Sequence, residues 1–201
     1  QKEVRLVFHF HHIITDGTSN QILADEFMTL YNDARAQLPP LKLQYKDFSQ
    51  WRTSAQQSEI IKQQERFWMR ELSENGEIPV LNLPCDFPRP EVQNFEGASV
   101  DFVLNKSLSK TLFDISAECN ATLYMTILAI YTVLLSKLSG QEDIIVGTPI
   151  AARSHFDLQD IIGMFVNTLA IRNFPQGNKT FMGYLKEVKE KTLEAFQNQD
   201  Y

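Results

Sequence analysis

The chain has 201 residues, of which 43% are hydrophobic and 22% charged, enough for one good core or two small lobes. Its formal net charge of -6, without a basic stripe, argues against a nucleic-acid partner. The two cysteines, Cys85 and Cys119, are too far apart to predict a disulfide framework or a zinc site, so we expect a cytoplasmic protein. The longest apolar stretch, residues 123–135, is too short to span a bilayer, so we expect no membrane association.

The chain opens with a predicted strand, a turn and a helix. Apolar residues alternate over residues 4–10, which is the period of a strand. The strand runs into a turn that contains Asp16 and Gly17. Apolar residues over 23–34 then fall on one face of a helix, which Pro39 and Pro40 stop.

Two further helical segments are predicted before the middle of the chain. A short helical turn carries Phe48 and is capped by Asp47 or Ser49. A longer helix is expected over about residues 58–72, and residues 75–76, Asn-Gly, end it.

The pattern then breaks down over residues 79–97, where half of the chain's eight prolines lie. Such a long irregular connection is the best candidate for a boundary between lobes. We therefore predict that residues 1–78 belong to a first lobe, that residues 79–98 connect the lobes, and that residues 99–201 belong to a second lobe.

The second half of the chain predicts a mixture of strands and helices. In order, the expected elements are a strand over residues 100–104, a helix that begins near Leu108, a helix over 122–139 with Gly140 as its C-cap, a strand over 144–147 buried on both faces, a strand over 165–171, and an amphipathic helix over 181–196. This order is typical of helices that cover a sheet.

The segment from His11 to Gly17 carries the strongest chemical signal in the sequence. Imidazole accepts and donates protons near neutral pH, provided that one ring nitrogen is free and the other is fixed. The end of a strand can expose His11 or His12 at a cleft. Asp16 is placed to stiffen the turn, and Gly17 allows backbone to approach closely. We therefore expect proton transfer chemistry here.

Two other interpretations of these histidines stay open. In the first, His11 and His12 are simply packed residues. Alternatively, His9 and His11, on one face of a regular strand, would bind a metal with Asp16 or His155. No further Cys, His or Glu cluster lies nearby at ligand spacing, so we expect no metal.

The residues 11–17 resemble the His-His-x-x-x-Asp-Gly signature of nonribosomal peptide synthetase condensation domains, which are relatives of chloramphenicol acetyltransferase. Four further blocks resemble that family in the right order and extend the likeness over essentially the whole chain. They are residues 45–51, residues 81–90, residues 146–153, in which Ala152 stands where the family usually has glycine, and residues 162–168.

The resemblance implies an α/β (α+β) fold, a chloramphenicol acetyltransferase-like two-lobe sandwich whose sheets are covered by helices. The family's domain is much longer than this chain. We therefore expect a fragment truncated at both ends, with an incomplete first lobe and an incomplete end to the second. Such a fragment is expected to be inactive on its own.

The resemblance also implies the reaction. A donor acyl or peptidyl thioester and an acceptor aminoacyl thioester, each on the phosphopantetheine arm of a carrier protein, are joined by an amide bond. The expected partners are the two peptidyl carrier proteins and a neighbouring adenylation domain. No cofactor is expected to bind directly.

The family's pattern assigns roles to six residues. His12 is the catalytic histidine, as a base or as a group that orients the amine, and His11 is its packing or hydrogen-bonding neighbour. Asp16 is structural and pairs with Arg153 of the second lobe. Backbone near Gly17 helps to hold the oxyanion, and Asn167 lines the cleft.

Two related functions remain as alternatives, whereas the matching segment 81–90 argues against a third, a stand-alone acyltransferase of the same superfamily. An epimerisation domain shares the His-His motif but typically carries a tryptophan where Asn20 follows Ser19 here. A catalytically silent docking module usually lacks the second histidine or the aspartate, whereas His12 and Asp16 are both present.

Overall fold

The computed structural model describes residues 5–73, 77–88, 90–92 and 94–201. Helices predominate, and two strands pair in a small sheet. In chain order the elements are α1 (Gly17–Asn32), α2 (Tyr45–Arg52), α3 (Ala55–Ser73), α4 (Lys106–Glu118), α5 (Leu123–Ser139), β1 (Ile144–Ile150), a 3-10 turn (Phe156–Leu158), β2 (Asn167–Asn173) and α6 (Phe181–Gln197). The predicted mixture of helices and strands is therefore confirmed.

The chain forms two compact units. One contains Gln1–Trp68, Pro149–Leu169 and Gln199–Tyr201, and the other contains Met69–Thr148 and Ala170–Asn198. We call them unit 1 and unit 2. The lobe boundary at residues 79–98 stays a prediction.

Helix ends follow from local capping chemistry. The Thr122 hydroxyl accepts the Met125 N–H at the start of α5, and Gly140 adopts φ 71° at its end, so the predicted cap is confirmed. The predicted caps of α2 are wrong, since Gln44 is the N-cap. Asp47 instead lies in the first turn, where its carboxylate accepts the Gln44 N–H at 2.8 Å.

Two predicted strands are absent from the described residues. Residues 6–10 and 100–104 belong to neither strand of the sheet, and Val7 and Phe102 are 85% and 81% exposed. Val4, where the first strand was expected to begin, lies outside the described residues. Alternation identifies a strand only where a neighbouring strand supplies hydrogen bonds, and none in the described part of the chain pairs with these segments.

One predicted strand differs in its burial, and two predicted features lie outside the described residues. Strand β1 is buried on both faces only in part, because Ile144 is fully buried whereas Gly147 is exposed. Residues 75–76, expected to end the third helix, and Arg89 of the resembling segment 81–90 lie outside the described residues.

Unit 2 is built around helices α4, α5 and α6. Apolar residues Leu128 and Leu185 are buried, and the hydroxyls of Thr132 and Tyr184 lie 2.7 Å apart between α5 and α6. Burial raises the pKa of Tyr184 to about 12, with Glu187 adding to the rise and the Thr132 hydrogen bond opposing it. The phenol is therefore a neutral partner in this apolar layer.

A buried arginine also anchors unit 2. Arg172 is 1% exposed, and its guanidinium bonds both carboxylate oxygens of Asp143 at 2.9 and 2.6 Å. It also donates to the carbonyl oxygens of Glu71 and Leu72 near the end of α3. The charge is compensated by the carboxylate and by the negative end of the helix.

No single helix among the described residues is long and apolar enough to cross a membrane. Helices α4 and α5, bent by 104° at their break, satisfy the requirement as a pair by length and composition only.

The core of unit 1 is an apolar cluster between α2 and the segment that leads to β2. Phe48, Leu158, Ile161 and Phe165 are buried, and the Tyr45 ring lies against them. The centroids of the Tyr45 and Phe165 rings are 5.1 Å apart in an edge-on contact. This cluster fixes the position of residues 161–165, which matter for the site described next.

Substituting Gly163 by alanine should destabilise unit 1 by roughly 1–3 kcal/mol, the range of overpacked cores. A Cβ there would clash with Cδ2 of the Tyr45 ring. That ring cannot move aside easily, because its hydroxyl donates to the Met164 carbonyl at 2.8 Å and Phe165 packs on it. Chemical denaturation measures the loss.

The control is Gly177→Ala, where a Cβ would meet nothing within 4 Å. Equal unfolding midpoints for the two alanine variants would contradict the close contact between Gly163 and Tyr45.

Candidate active site

Asp16 ends the turn that follows the two histidines and caps helix α1. Its side chain is fully buried. One carboxylate oxygen, Oδ1, accepts the Ser19 N–H at 2.8 Å, which is an N-cap hydrogen bond. The other, Oδ2, accepts the Phe165 N–H at 3.0 Å. Asp16 therefore ties the start of α1 to a segment about 150 residues away in the chain.

Arg153 provides the opposite charge inside unit 1. Its Nη2 lies 3.3 Å from Asp16 Oδ1, so the expected ion pair is present, and both side chains are buried. Its Nη1 donates to the carbonyl oxygens of Leu158 at 2.5 Å and Ile161 at 2.7 Å. Its guanidinium carbon lies 4.1 Å from the centre of the Phe165 ring. These partners compensate a buried charge that would otherwise be very costly.

Ser19 completes this network and was not predicted. Its hydroxyl donates to the Gly163 carbonyl at 2.8 Å, and it accepts the Gly163 N–H at 3.0 Å and Arg153 Nη2 at 2.9 Å. The residue is 0% exposed. A serine in the first turn of a helix usually takes part in local capping. The only sequence signal for its contacts to Arg153 and Gly163 is its spacing from Asp16.

The network shifts the acidity of the Asp16 carboxyl. Burial raises its pKa, but the hydrogen bonds from Ser19 and from the Phe165 N–H, together with the Arg153 charge, lower it by more. The net pKa lies below the ordinary aspartate value. Asp16 is therefore a fixed anion at neutral pH, which suits a structural role.

The two histidines lie in the exposed turn before Asp16. The His11 ring accepts the Ile13 N–H at its Nδ1, 3.1 Å away, and the His11 carbonyl accepts the Ile14 N–H. His11 thus shapes the turn. The neighbouring His12 faces an open depression of about 410 Å³. The residues that line this depression are Phe8, His9, Phe10, His12, Thr15, Asn20, Leu23 and Ala24.

Gly17 and Asn167, the remaining predicted residues, lie in different settings. Gly17 is the first residue of α1, and a Cβ there would meet nothing within 4 Å, so the expected close backbone approach is not seen. Asn167 begins β2, and its amide donates to the carbonyl oxygens of Gln199 at 2.9 Å and Tyr201 at 3.4 Å. Its role in lining a cleft stays a prediction.

Ala152, which precedes Arg153, adopts a left-handed backbone conformation with φ 46°. Such a conformation costs an alanine about 1–2 kcal/mol, whereas glycine adopts it freely. Ala152→Gly should therefore raise the free energy of unfolding by up to about 1 kcal/mol, after the greater chain entropy of glycine is subtracted. Thermal and urea unfolding measure this gain.

The matched control for Ala152→Gly is Ala195→Gly inside helix α6, which should destabilise the protein. A loss of stability in both variants would contradict the strained conformation at Ala152.

No group of three or more His, Cys, Asp or Glu side chains in the described part of the chain is arranged to hold a metal ion. The expectation that no metal binds stays a prediction.

Comparison with known proteins defines the class. A solved four-domain nonribosomal peptide synthetase, bound to AMP and glycine, is 27% identical with a TM-score of 0.79 over 96% of this chain and 14% of its own. The X-domain from teicoplanin biosynthesis is similar in fold, with a TM-score of 0.84, 24% identity, and coverage of 95% of this chain and 44% of its own. The fold is thus the chloramphenicol acetyltransferase-like fold of condensation domains, as predicted.

The family is shown by sequence. The condensation domain family model matches residues 1–201. Gramicidin S synthase 2 of Brevibacillus brevis is 52% identical over 196 residues, and tyrocidine synthase 3 of Brevibacillus parabrevis is 53% identical over 191. These matches cover 98% and 95% of this chain but only 4% and 3% of the synthetases. The chain belongs to the condensation domain family and corresponds to a small part of such synthetases.

Proposed function

We propose that this chain is part of a condensation domain that forms an amide bond between two carrier-bound substrates. The donor is an acyl or peptidyl thioester, and the acceptor is an aminoacyl thioester. The observation that carries the proposal is the position of His12, which faces an open depression from a turn whose far end is anchored by the buried pair of Asp16 and Arg153. A proton-transfer group on a rigid support is what acyl transfer requires.

In the proposed reaction the acceptor amine attacks the carbonyl carbon of the donor thioester. A C–N bond forms, and the tetrahedral intermediate collapses with cleavage of the C–S bond. His12 accepts a proton from the attacking amine and returns it to the leaving thiolate of the donor's phosphopantetheine arm. No oxidant or reductant is needed, and the products are an amide on the acceptor carrier and a free thiol on the donor carrier.

The start of α1 supports the oxyanion of this intermediate. The first N–H groups of a helix have no hydrogen-bond partner within the helix, and the helix dipole favours negative charge at that end. Gly17 is the first residue of α1, and the space around its Cα is open. A substrate oxygen can therefore approach the Gly17 backbone without displacing a side chain, which is how glycine serves at this position in our proposal.

The proposed partners are a donor and an acceptor peptidyl carrier protein and an adjoining adenylation domain, in the cytoplasm. We further propose that this chain is inactive on its own and needs more of the domain. The support is the exposure of apolar side chains over residues 6–10 and 100–104, including Phe8, Phe10 and Phe102. Contiguous exposed apolar side chains normally mark a surface that another part of a domain or a partner covers.

The test uses the full-length synthetase that carries these residues, with the donor and acceptor carriers loaded with different acyl groups. Mass spectrometry of the acceptor carrier should show the donor acyl group added to the acceptor. Inversion of a donor stereocentre without a change in mass would instead identify an epimerisation domain. Loaded carriers that remain unchanged would identify a silent docking module.

A further inference from the structure

Asn20 faces the same depression as His12, although the proposed reaction gives it no role. It lies in the first turn of α1 and is exposed, whereas its neighbour Ser19 is buried in the Asp16 network. Consecutive side chains of a helix point about 100° apart, so Ser19 can be buried while Asn20 is exposed. Ser19 anchors the helix, and Asn20 is left to face the depression.

The Asn20 amide is hydrogen-bonded to Thr15. The Thr15 hydroxyl donates to Asn20 Oδ1 at 2.8 Å, and Thr15 is itself buried. The acceptor end of the amide is therefore turned toward Thr15. The other end is an NH₂ group with two N–H donors. Asn20 thus offers hydrogen-bond donors to the depression that His12 also lines, in which His9 and Thr15 are polar and Phe8, Phe10, Leu23 and Ala24 are apolar.

A few placed polar groups among apolar side chains are how a binding site selects a polar group of its ligand. The ligand needs an acceptor oxygen close to the atom on which His12 acts. Both ends of a thioester substrate supply one. The acylamino carbonyl of the donor residue lies on one side of the thioester, and the nearest amide carbonyl of the pantetheine arm lies on the other.

We propose that Asn20 Nδ2 binds an amide carbonyl oxygen next to the reacting thioester and holds the thioester against His12. This inference rests on the proposed function and extends it by naming a specificity-determining residue. Thr15 acts through Asn20 as a positioning residue, because its hydroxyl bonds Asn20 Oδ1 and leaves the NH₂ end of the amide for the substrate. A donor that lacks the acylamino carbonyl distinguishes the two sources of the oxygen.

The test compares Asn20→Asp with Gln21→Glu in the full-length synthetase. Aspartate keeps the acceptor oxygen for Thr15 but has no N–H to donate at neutral pH. Gln21→Glu makes the same amide-to-carboxylate change one residue further on, where the side chain is exposed and bonds only Asp25 in the described contacts. We expect Asn20→Asp to lower kcat/KM about tenfold or more and Gln21→Glu to leave it within about twofold. Both melting temperatures should stay within about 2 °C of that of the unsubstituted protein.

Each variant is assayed with an N-acyl-aminoacyl donor and with the free aminoacyl donor. A loss confined to the N-acyl donor identifies the donor's own amide carbonyl, and an equal loss with both donors identifies the pantetheine arm. If Asn20→Asp behaves like Gln21→Glu while the unsubstituted protein transfers normally, the inference is overturned and the proposed function stands. If the unsubstituted protein transfers nothing, the proposed function fails first.

Discussion

Replacing His12 by alanine in the full-length synthetase should lower the rate of amide formation by about 100-fold or more. A positioned general acid–base group contributes about 10²–10⁴-fold to such reactions. His12 faces the depression from an exposed turn, and its removal leaves the buried support of Asp16, Ser19 and Arg153 intact. The melting temperature should therefore stay within about 1–2 °C while the transfer rate falls.

The matched control is His11→Ala, which removes an imidazole of the same size from the adjacent position. The His11 ring accepts the Ile13 N–H, so its loss loosens the turn without removing the group that faces the depression. We expect a reduction of about tenfold or less, which is the scale of one hydrogen bond. A larger loss in His11→Ala than in His12→Ala would transfer the chemical role to His11.

Asp16→Ala should lower the free energy of unfolding by about 3–5 kcal/mol, the usual cost of removing one partner of a buried ion pair. The substitution leaves the Arg153 guanidinium buried without its carboxylate and leaves the Phe165 N–H without its acceptor. It also removes the N-cap of α1. Denaturant unfolding measures the change, and activity should fall together with stability.

Asp25→Ala is the control for the loss of a carboxylate from α1. Asp25 is exposed, and its carboxylate accepts a hydrogen bond from Gln21 on the same helix. Its removal should change stability by no more than about 0.5 kcal/mol. An unchanged free energy of unfolding in Asp16→Ala, combined with lost activity, would make Asp16 a participant in the chemistry.

The stability that Asp16 contributes should also depend on pH. Because the folded-state pKa of Asp16 lies below its unfolded value, the ionised carboxylate adds stability above the ordinary aspartate pKa of about 3.9. That contribution is lost as the pH falls through the lower folded-state pKa. Asp16→Asn has no carboxyl to protonate at this position and should not lose this stability. The free energies of unfolding of Asp16→Asn and of the unsubstituted protein should therefore converge toward low pH.

Elements with strong local signals were predictable from sequence. Helix α5 follows from a 17-residue apolar segment between a Thr122 cap and the Gly140 stop, and its boundaries were correct within a residue. The pairing of Asp16 with Arg153 was also predictable, but only through resemblance to the family. Because the two residues lie 137 positions apart, no local sequence pattern predicts their pairing.

Elements that depend on distant partners were not predictable. The alternating residues 5–10 show which side chains a strand would bury, yet pairing depends on a neighbour that local sequence cannot name. Ser19 was missed for the same reason, since its bonds to Gly163 join residues 144 positions apart. Asn20 appeared as a family marker, and only the geometry of α1 relates it to His12.

The most direct test of the central claim is a single-turnover measurement of amide formation with both carriers loaded in advance. The unsubstituted protein and the His12→Ala variant are compared at equal folded fraction, and the mass of the acceptor carrier is followed over time. We predict that the acceptor gains the donor acyl group in the unsubstituted protein and that this gain is at least about 100-fold slower in His12→Ala. Equal single-turnover rates in the two proteins would contradict the account.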